Sequence, residues 1–228
     1  MIISHKHRFI YVKTRKAAST SIEIALSKYC GPEDIITPID ESGEAQRRER
    51  GYRGPQNHHI PMKYYDRFDW AALMLRGRRK QFYNHRTAGF IRDHLEPGIW
   101  QDYYTFSFER NPFDKAVSFY YYKTRPPRPD FNSWIHECRE SRLTNWPLYT
   151  INGHVQLDFL GRYEALDEGL ARVRDEVGLP GDIELPKAKG GFRPDRSPYA
   201  ELMDEAARER IELVCAREIR LMGYAFGD

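Results

Sequence analysis

Cysteine is scarce in this 228-residue chain, with only Cys30, Cys138 and Cys215 present. They are odd in number, widely separated and without CxxC spacing. That excludes a disulfide framework and a thiolate zinc site, and leaves reduced, packed thiols. Long hydrophobic runs are missing too: nothing approaches the ~18 apolar residues of a membrane span. The polar opening Ser4-His5-Lys6-His7-Arg8 is not a signal peptide. The formal net charge is only +3, too little to indicate nucleic acid, yet suited to a polyanionic ligand if the positive groups cluster. A glycine-framed GxxxxGK[ST] loop is lacking, as is a carboxylate pair for Mg²⁺, and both absences weigh against a nucleotide kinase. No metal-ligand cluster, internal repeat or low-complexity segment is present.

Hydrophobic residues make up 40% and charged residues 30% of the chain, the balance of an ordinary folded protein. The length fits a single domain over 1–228, with a loop-rich excursion at about 31–100. Phe9-Ile10-Tyr11-Val12 reads as a strand running through a turn into a helix with Ile22, Ala25 and Leu26 on one face. Residues 31–61, rich in Gly, Pro and charge, read as a loop. Asn84-His85-Arg86-Thr87 is placed to start a short helix capped by Asn84 or Thr87.

Further on, Tyr103 to Phe108 is a strand, and Asn111-Pro112 a strong helix start. Val155 to Phe159 alternates as a half-buried strand. Helical spacing returns at Leu166, Leu170, Val173 and Val177, and again from Leu202 to Ile219. The alternation predicts an α/β fold whose central, mainly parallel sheet is flanked by helices.

The first candidate site is Arg15-Lys16-Ala17-Ala18-Ser19-Thr20-Ser21-Ile22-Glu23. A strand, a turn of small and hydroxylated residues and a helix N-terminus form an anion cradle. Orphan N–H groups carry about half a positive charge there, and Lys16 adds a whole one. The bland alternative is a polar turn in which Ser19 or Thr20 merely caps the helix. The second candidate is Arg110 with Ser118. Arg110 stands at a strand's C-terminal end, where open α/β sheets place ligands, and Ser118 lies two turns into the following helix. Its bland alternative is a surface salt bridge.

Lys-x-x-Ser-Thr-Ser after a first strand, followed by Phe-x-Arg-Asn-Pro-Phe-x-Lys-x-x-Ser-Phe-Tyr after a later one, resembles sulfotransferases that use 3′-phosphoadenosine 5′-phosphosulfate (PAPS). The likeness is closest to the carbohydrate branch that includes heparan sulfate 2-O-sulfotransferase, and it extends weakly to Phe159–Glu164 and Met222–Phe226. It implies a P-loop-NTPase-like sulfotransferase fold with PAPS as donor, adenosine 3′,5′-bisphosphate as product and no required metal. It also implies that Lys16, Ala17, Ala18, Ser19, Thr20 and Ser21 hold the 5′-phosphosulfate, and that Arg110 and Ser118 hold the 3′-phosphate. In similar enzymes a loop before the final helices closes over the nucleotide, which here would be Gly191, Phe192 and Arg193.

Sulfuryl transfer needs a base and a stabilised leaving group. His85, between the two motifs, is the expected base, with His58, His59 and His94 as rivals, and Lys16 is expected on the bridging oxygen. The basic clusters Arg47, Arg48, Arg50, Arg53 and Arg76, Arg78, Arg79, Lys80 are expected to be solvated surface. The expected partner is a hydroxyl-bearing acceptor, a glycan or small alcohol, with no nucleic acid and no membrane insertion. Because the chain starts almost at its first strand, a cytosolic, bacterial protein is expected. An atypical kinase and a non-catalytic nucleotide- or polyanion-binding module are the competing functions.

Overall fold

The computed structural model describes residues 1–186 and 198–228. Strands β1 (Ile2–Ser4) and β2 (Phe9–Tyr11) form a hairpin, and α1 (Ser19–Ser27) leads to the short β3 (Ile35–Ile36). Helices α2 (Glu41–Glu49), α3 (Arg67–Arg76), α4 (Ala88–Asp93) and the single turn α5 (Ile99–Asp102) precede β4 (Tyr104–Glu109). Next come α6 (Pro112–Lys123), α7 (Phe131–Glu137), α8 (Glu140–Leu143) and α9 (Trp146–Tyr149). A small ribbon, β5 (Thr150–Ile151) with β6 (His154–Val155), stands apart from the main sheet. The chain then runs through β7 (Phe159–Arg162), α10 (Leu166–Glu176), α11 (Tyr199–Leu202), α12 (Glu205–Val214) and α13 (Ala216–Met222).

The main sheet has the order β3-β1-β2-β4-β7. β2, β4 and β7 are parallel neighbours, with Tyr11 opposite Phe106 and Phe108 opposite Gly161. β1 is antiparallel to both β2 and β3, so the sheet is mixed around a parallel centre. After β2 the chain turns outward toward β3; after β4 it turns the other way toward β7. The carboxyl ends of β2 and β4 therefore flank the topological switch point, where α/β sheets hold ligands.

Strand residues alternate between two cores, as a period of two requires. Phe9, Tyr11, Phe106 and Phe108 face α1 and α10 through Ile22, Leu26, Leu170 and Val173. Ile3, Ile10 and Val12 face the other way, onto Phe82, Ile91 and Trp100. A third, purely helical core joins α6, α7 and α12 through Phe113, Val117, Ile135 and Ile211. Phe108 lies over Gly161 and Gly169, where a Cβ would come within 2.5 and 2.6 Å of its ring. Those glycines set the close approach of α10 to the sheet.

Three sequence expectations need correction. The stretch 31–61 is not all loop. Asp40 accepts from the Gly43 N–H at 2.9 Å to start α2, and Glu44 pairs with Arg47 at 2.8 Å. Arg47 is not solvated surface: its side chain is 0% exposed and lies 3.8 Å from the buried Glu23 carboxylate. The half-buried strand expected over 155–159 splits into β6 and β7, because residues 156–158 leave the ladder.

Candidate functional site

Each phosphate motif is carried out of the sheet by a lashed strand end. Val12 N–H donates to the Phe106 carbonyl at 2.9 Å, and the Ser107 hydroxyl returns a bond to the Val12 carbonyl at 2.6 Å. Thr14 Oγ1 donates to the Phe108 carbonyl at 2.5 Å. These bonds hold the loop after β2 beside the exit of β4. Arg110 then crosses the gap and donates from Nη1 to the Lys16 carbonyl at 3.1 Å.

The turn between β2 and α1 is strained. Lys16 and Ala18 both have positive φ, 62° and 52°, a conformation that costs a residue with a Cβ roughly 1–2 kcal/mol. Ala18 is the N-cap, and no side chain caps the helix. The capping alternative for Ser19 and Thr20 therefore does not hold, since both lie inside the first turn. A left-handed turn before an uncapped helix is a concave nest of N–H donors, and strain kept at such a place signals function.

A cleft of about 460 Å³ opens over this nest. Lys16, Ala18, Ser19, Thr20, Ser21, His85, Arg110 and Ser118 all line it, so it gathers residues from α1, the loop before α4, the exit of β4, and α6. Ala17 does not line it; its side chain is fully buried in the core beside Ile22 and Phe106. Gly191, Phe192 and Arg193 lie outside the described residues. The lining also includes Arg15, Tyr122, Lys123, Arg142 and Tyr163, which the sequence reading missed. Tyr122 follows Ser118 by four residues on one helix, a spacing that could have revealed it. Arg142 and Tyr163 arrive from distant elements and left no local signal. The cleft wall carries five cationic side chains and no carboxylate.

Arg110 is both ligand candidate and salt bridge. Its Nε and Nη2 donate to one Asp114 oxygen at 2.7 and 2.5 Å, and its guanidinium lies 4.3 Å from the centre of the Tyr163 ring. Asp114 and Tyr163 thus fix the arginine's orientation. Lys16 Nζ sits 4.5 Å over the Tyr122 ring.

His85 Nδ1 is 3.1 Å from the Lys13 carbonyl, an oxygen that can only accept. The proton is therefore on Nδ1, and Nε2 carries the lone pair. Burial, then the Lys13 ammonium, push the imidazole down to about 3, so the ring is neutral near pH 7. Its loop is held by Asn84, whose amide donates to the Pro38 carbonyl at 2.7 Å and accepts from Lys13 Nζ at 3.2 Å. The rival histidines are elsewhere: His58 stacks on His59, and His94 stacks on Phe90. None of them lines the cleft.

Two buried networks stand behind the site. Beneath α1, Glu23 is fully buried; its carboxylate accepts from Lys13 Nζ and, at 3.0 Å, from Thr37 Oγ1. Burial raises its pKa, but the charges of Lys13, the Met1 amino group and Arg47 outweigh that and bring it to about 2. Behind the nest, Asn145 grips Arg15 twice: Oδ1 accepts from the Arg15 N–H at 3.0 Å, and Nδ2 donates to the Arg15 carbonyl at 3.1 Å. Asn145 is held in turn by Glu218 through its backbone N–H and by Glu109 through Nδ2, both at 3.0 Å. Burial raises the Glu109 pKa, and Lys115 at 3.0 Å opposes that rise.

The sulfotransferase family model matches residues 1–225. A curated protein of Archaeoglobus fulgidus, described only as uncharacterized, is 36% identical over 105 residues, covering 43% of this chain and 87% of its own length. No solved structure matches the chain.

Proposed function

The chain belongs to the sulfotransferase family, and from that premise we propose that it transfers the sulfuryl group of PAPS to a hydroxyl of an acceptor, a carbohydrate or a small alcohol. The observation that carries this reading is the convergence of Lys16, Ser19, Thr20, Ser21, Arg110, Ser118 and His85 on one cationic cleft. A donor phosphorylated at both ends of its adenosine needs two anion sites at one opening. The nest before α1 suits the 5′-phosphosulfate, and Arg110 with Ser118 suits the 3′-phosphate.

The chemistry follows from the same groups. His85 Nε2 takes the acceptor proton as the acceptor oxygen attacks sulfur. The sulfur–oxygen bond to the 5′-phosphate breaks, and its electron pair leaves on the phosphate oxygen. Lys16 and the N–H groups of α1 stabilise that charge. A bound dianion in the cleft opposes the cations that depress His85 and raises its basicity where it is needed. The products are a sulfate ester and adenosine 3′,5′-bisphosphate. The motif spacing further favours the carbohydrate branch, a P-loop-like ancestry of the nest and a cytosolic acceptor.

Incubation with sulfur-labelled PAPS and a panel of glycans and alcohols tests the reading. Label should move to at least one hydroxyl acceptor, and His85→Ala should slow transfer by roughly 10²–10⁴-fold. Undiminished transfer in that variant removes His85 as the base. Absence of transfer across the panel, together with no binding of PAPS, overturns the function.

A further inference from the structure

Helix α3 buries none of its 10 residues. A helix this short is marginal in water unless packing supports it. A capping box from Asp66 and Asp69 and a left-handed Gly77 close its ends, but they leave its sides uncovered. Those sides are apolar: Phe68 is 69% exposed, Trp70 44%, Met74 79% and Leu75 83%. At 3.6 residues per turn, Trp70, Met74, Ala71, Leu75 and Phe68 follow one another around a single arc of roughly 160°. Ala72 and Leu73, on the opposite side, are half-buried toward the body. Met62, just before the helix, is 47% exposed as well. Exposed apolar residues gathered in one patch mark an interaction site, whereas scattered ones do not.

Cations surround the patch. Arg67, Arg76, Arg78 and Arg79 are exposed, and among the described residues none pairs with a carboxylate. Nearby acids are already engaged. Asp66 accepts from the Phe68 and Asp69 N–H groups at 2.8 and 2.9 Å, Asp69 pairs with Lys80 at 2.6 Å, and Glu96 pairs with Lys63 at 2.5 Å. The unit rises on a two-chain stalk, with Ile60 N–H bonded to the Lys80 carbonyl at 3.0 Å and Phe82 N–H to the His58 carbonyl at 2.8 Å.

We propose that α3 and its flanks are a docking surface for an anionic lipid bilayer. The helix lies in the plane of the interface, with Phe68, Trp70, Met74 and Leu75 at the boundary of headgroups and acyl chains and the arginines on lipid phosphates. An acidic polysaccharide would pair the arginines but leave the aromatic and aliphatic face in water. A second copy applied through the same patch would set arginines against arginines. The helix rests on the membrane rather than crossing it, since no helix among the described residues is long and apolar enough to span one.

Co-sedimentation with vesicles tests this. The chain should bind vesicles of mixed phosphatidylcholine and phosphatidylglycerol, and not phosphatidylcholine alone. Combined Phe68→Ser, Trp70→Ser, Met74→Ser and Leu75→Ser changes should weaken binding about tenfold or more. Combined Arg67→Gln, Arg76→Gln, Arg78→Gln and Arg79→Gln changes should do the same. Unaltered thermal melting of both variants is expected, because no residue of α3 is buried. No binding to the mixed vesicles, or equal binding by the serine variant, overturns the proposal. So does a dimer in the parent that the serine variant loses without any vesicle binding.

Discussion

His85 can accept a proton only because Lys13 fixes its tautomer: the Nδ1 proton faces the Lys13 carbonyl, and Nε2 is left with its lone pair. The same burial makes the residue a source of acid lability. Its pKa is about 3 when folded against an ordinary 6.5, so between those values the unfolded chain binds the extra proton, and stability falls as pH falls. His85→Gln should flatten that slope between pH 6.5 and 3 in urea melts. A variant as acid-sensitive as the parent would contradict the burial of the imidazole. Glu23 acts in a lower window, from its ordinary 4.5 down to about 2, with the same sign. Glu23→Gln leaves Lys13 and Arg47 buried without their carboxylate and should cost about 3–5 kcal/mol at pH 7 by denaturant titration.

At the scale of elements, the site depends on two loops held from behind. Asn145, just before α9, fixes the backbone of Arg15 and hence the turn that shapes the nest. Asn145→Ala should raise the KM for PAPS by about tenfold, through loss of hydrogen bonds worth roughly 1 kcal/mol each, while Asn145→Asp restores only the acceptor half of the clamp. An unchanged KM would make the clamp purely structural. Gly169→Ala should cost about 1–3 kcal/mol, since its methyl meets the Phe108 ring.

Legibility also varied by element. Asn111-Pro112 and Thr87 marked their helices because a cap and its helix are local in sequence; Asn111 Oδ1 accepts from the Phe113 N–H at 3.0 Å, and Thr87 Oγ1 from the Phe90 N–H at 3.2 Å. Helix α2 was hidden because its stability comes from Arg47 reaching Glu23, 24 positions earlier in the chain. Asn145 was hidden for the same reason: its partners Arg15, Glu109 and Glu218 are distant in sequence and meet only in the fold.

For the molecule as a whole, the parallel pair β2 and β4 sets two anion-binding turns at one sheet edge, and the cationic cleft between them bears the functional claim. Calorimetric titration of adenosine 3′,5′-bisphosphate, with adenosine 5′-monophosphate and ATP plus Mg²⁺ as comparisons, tests that claim most directly. The bisphosphate should bind at least about tenfold tighter than the monophosphate, a difference of roughly 1.4 kcal/mol. Arg110→Ala should abolish that preference while leaving monophosphate binding intact. Equal affinity for the two nucleotides, or a preference that survives Arg110→Ala, would contradict the account.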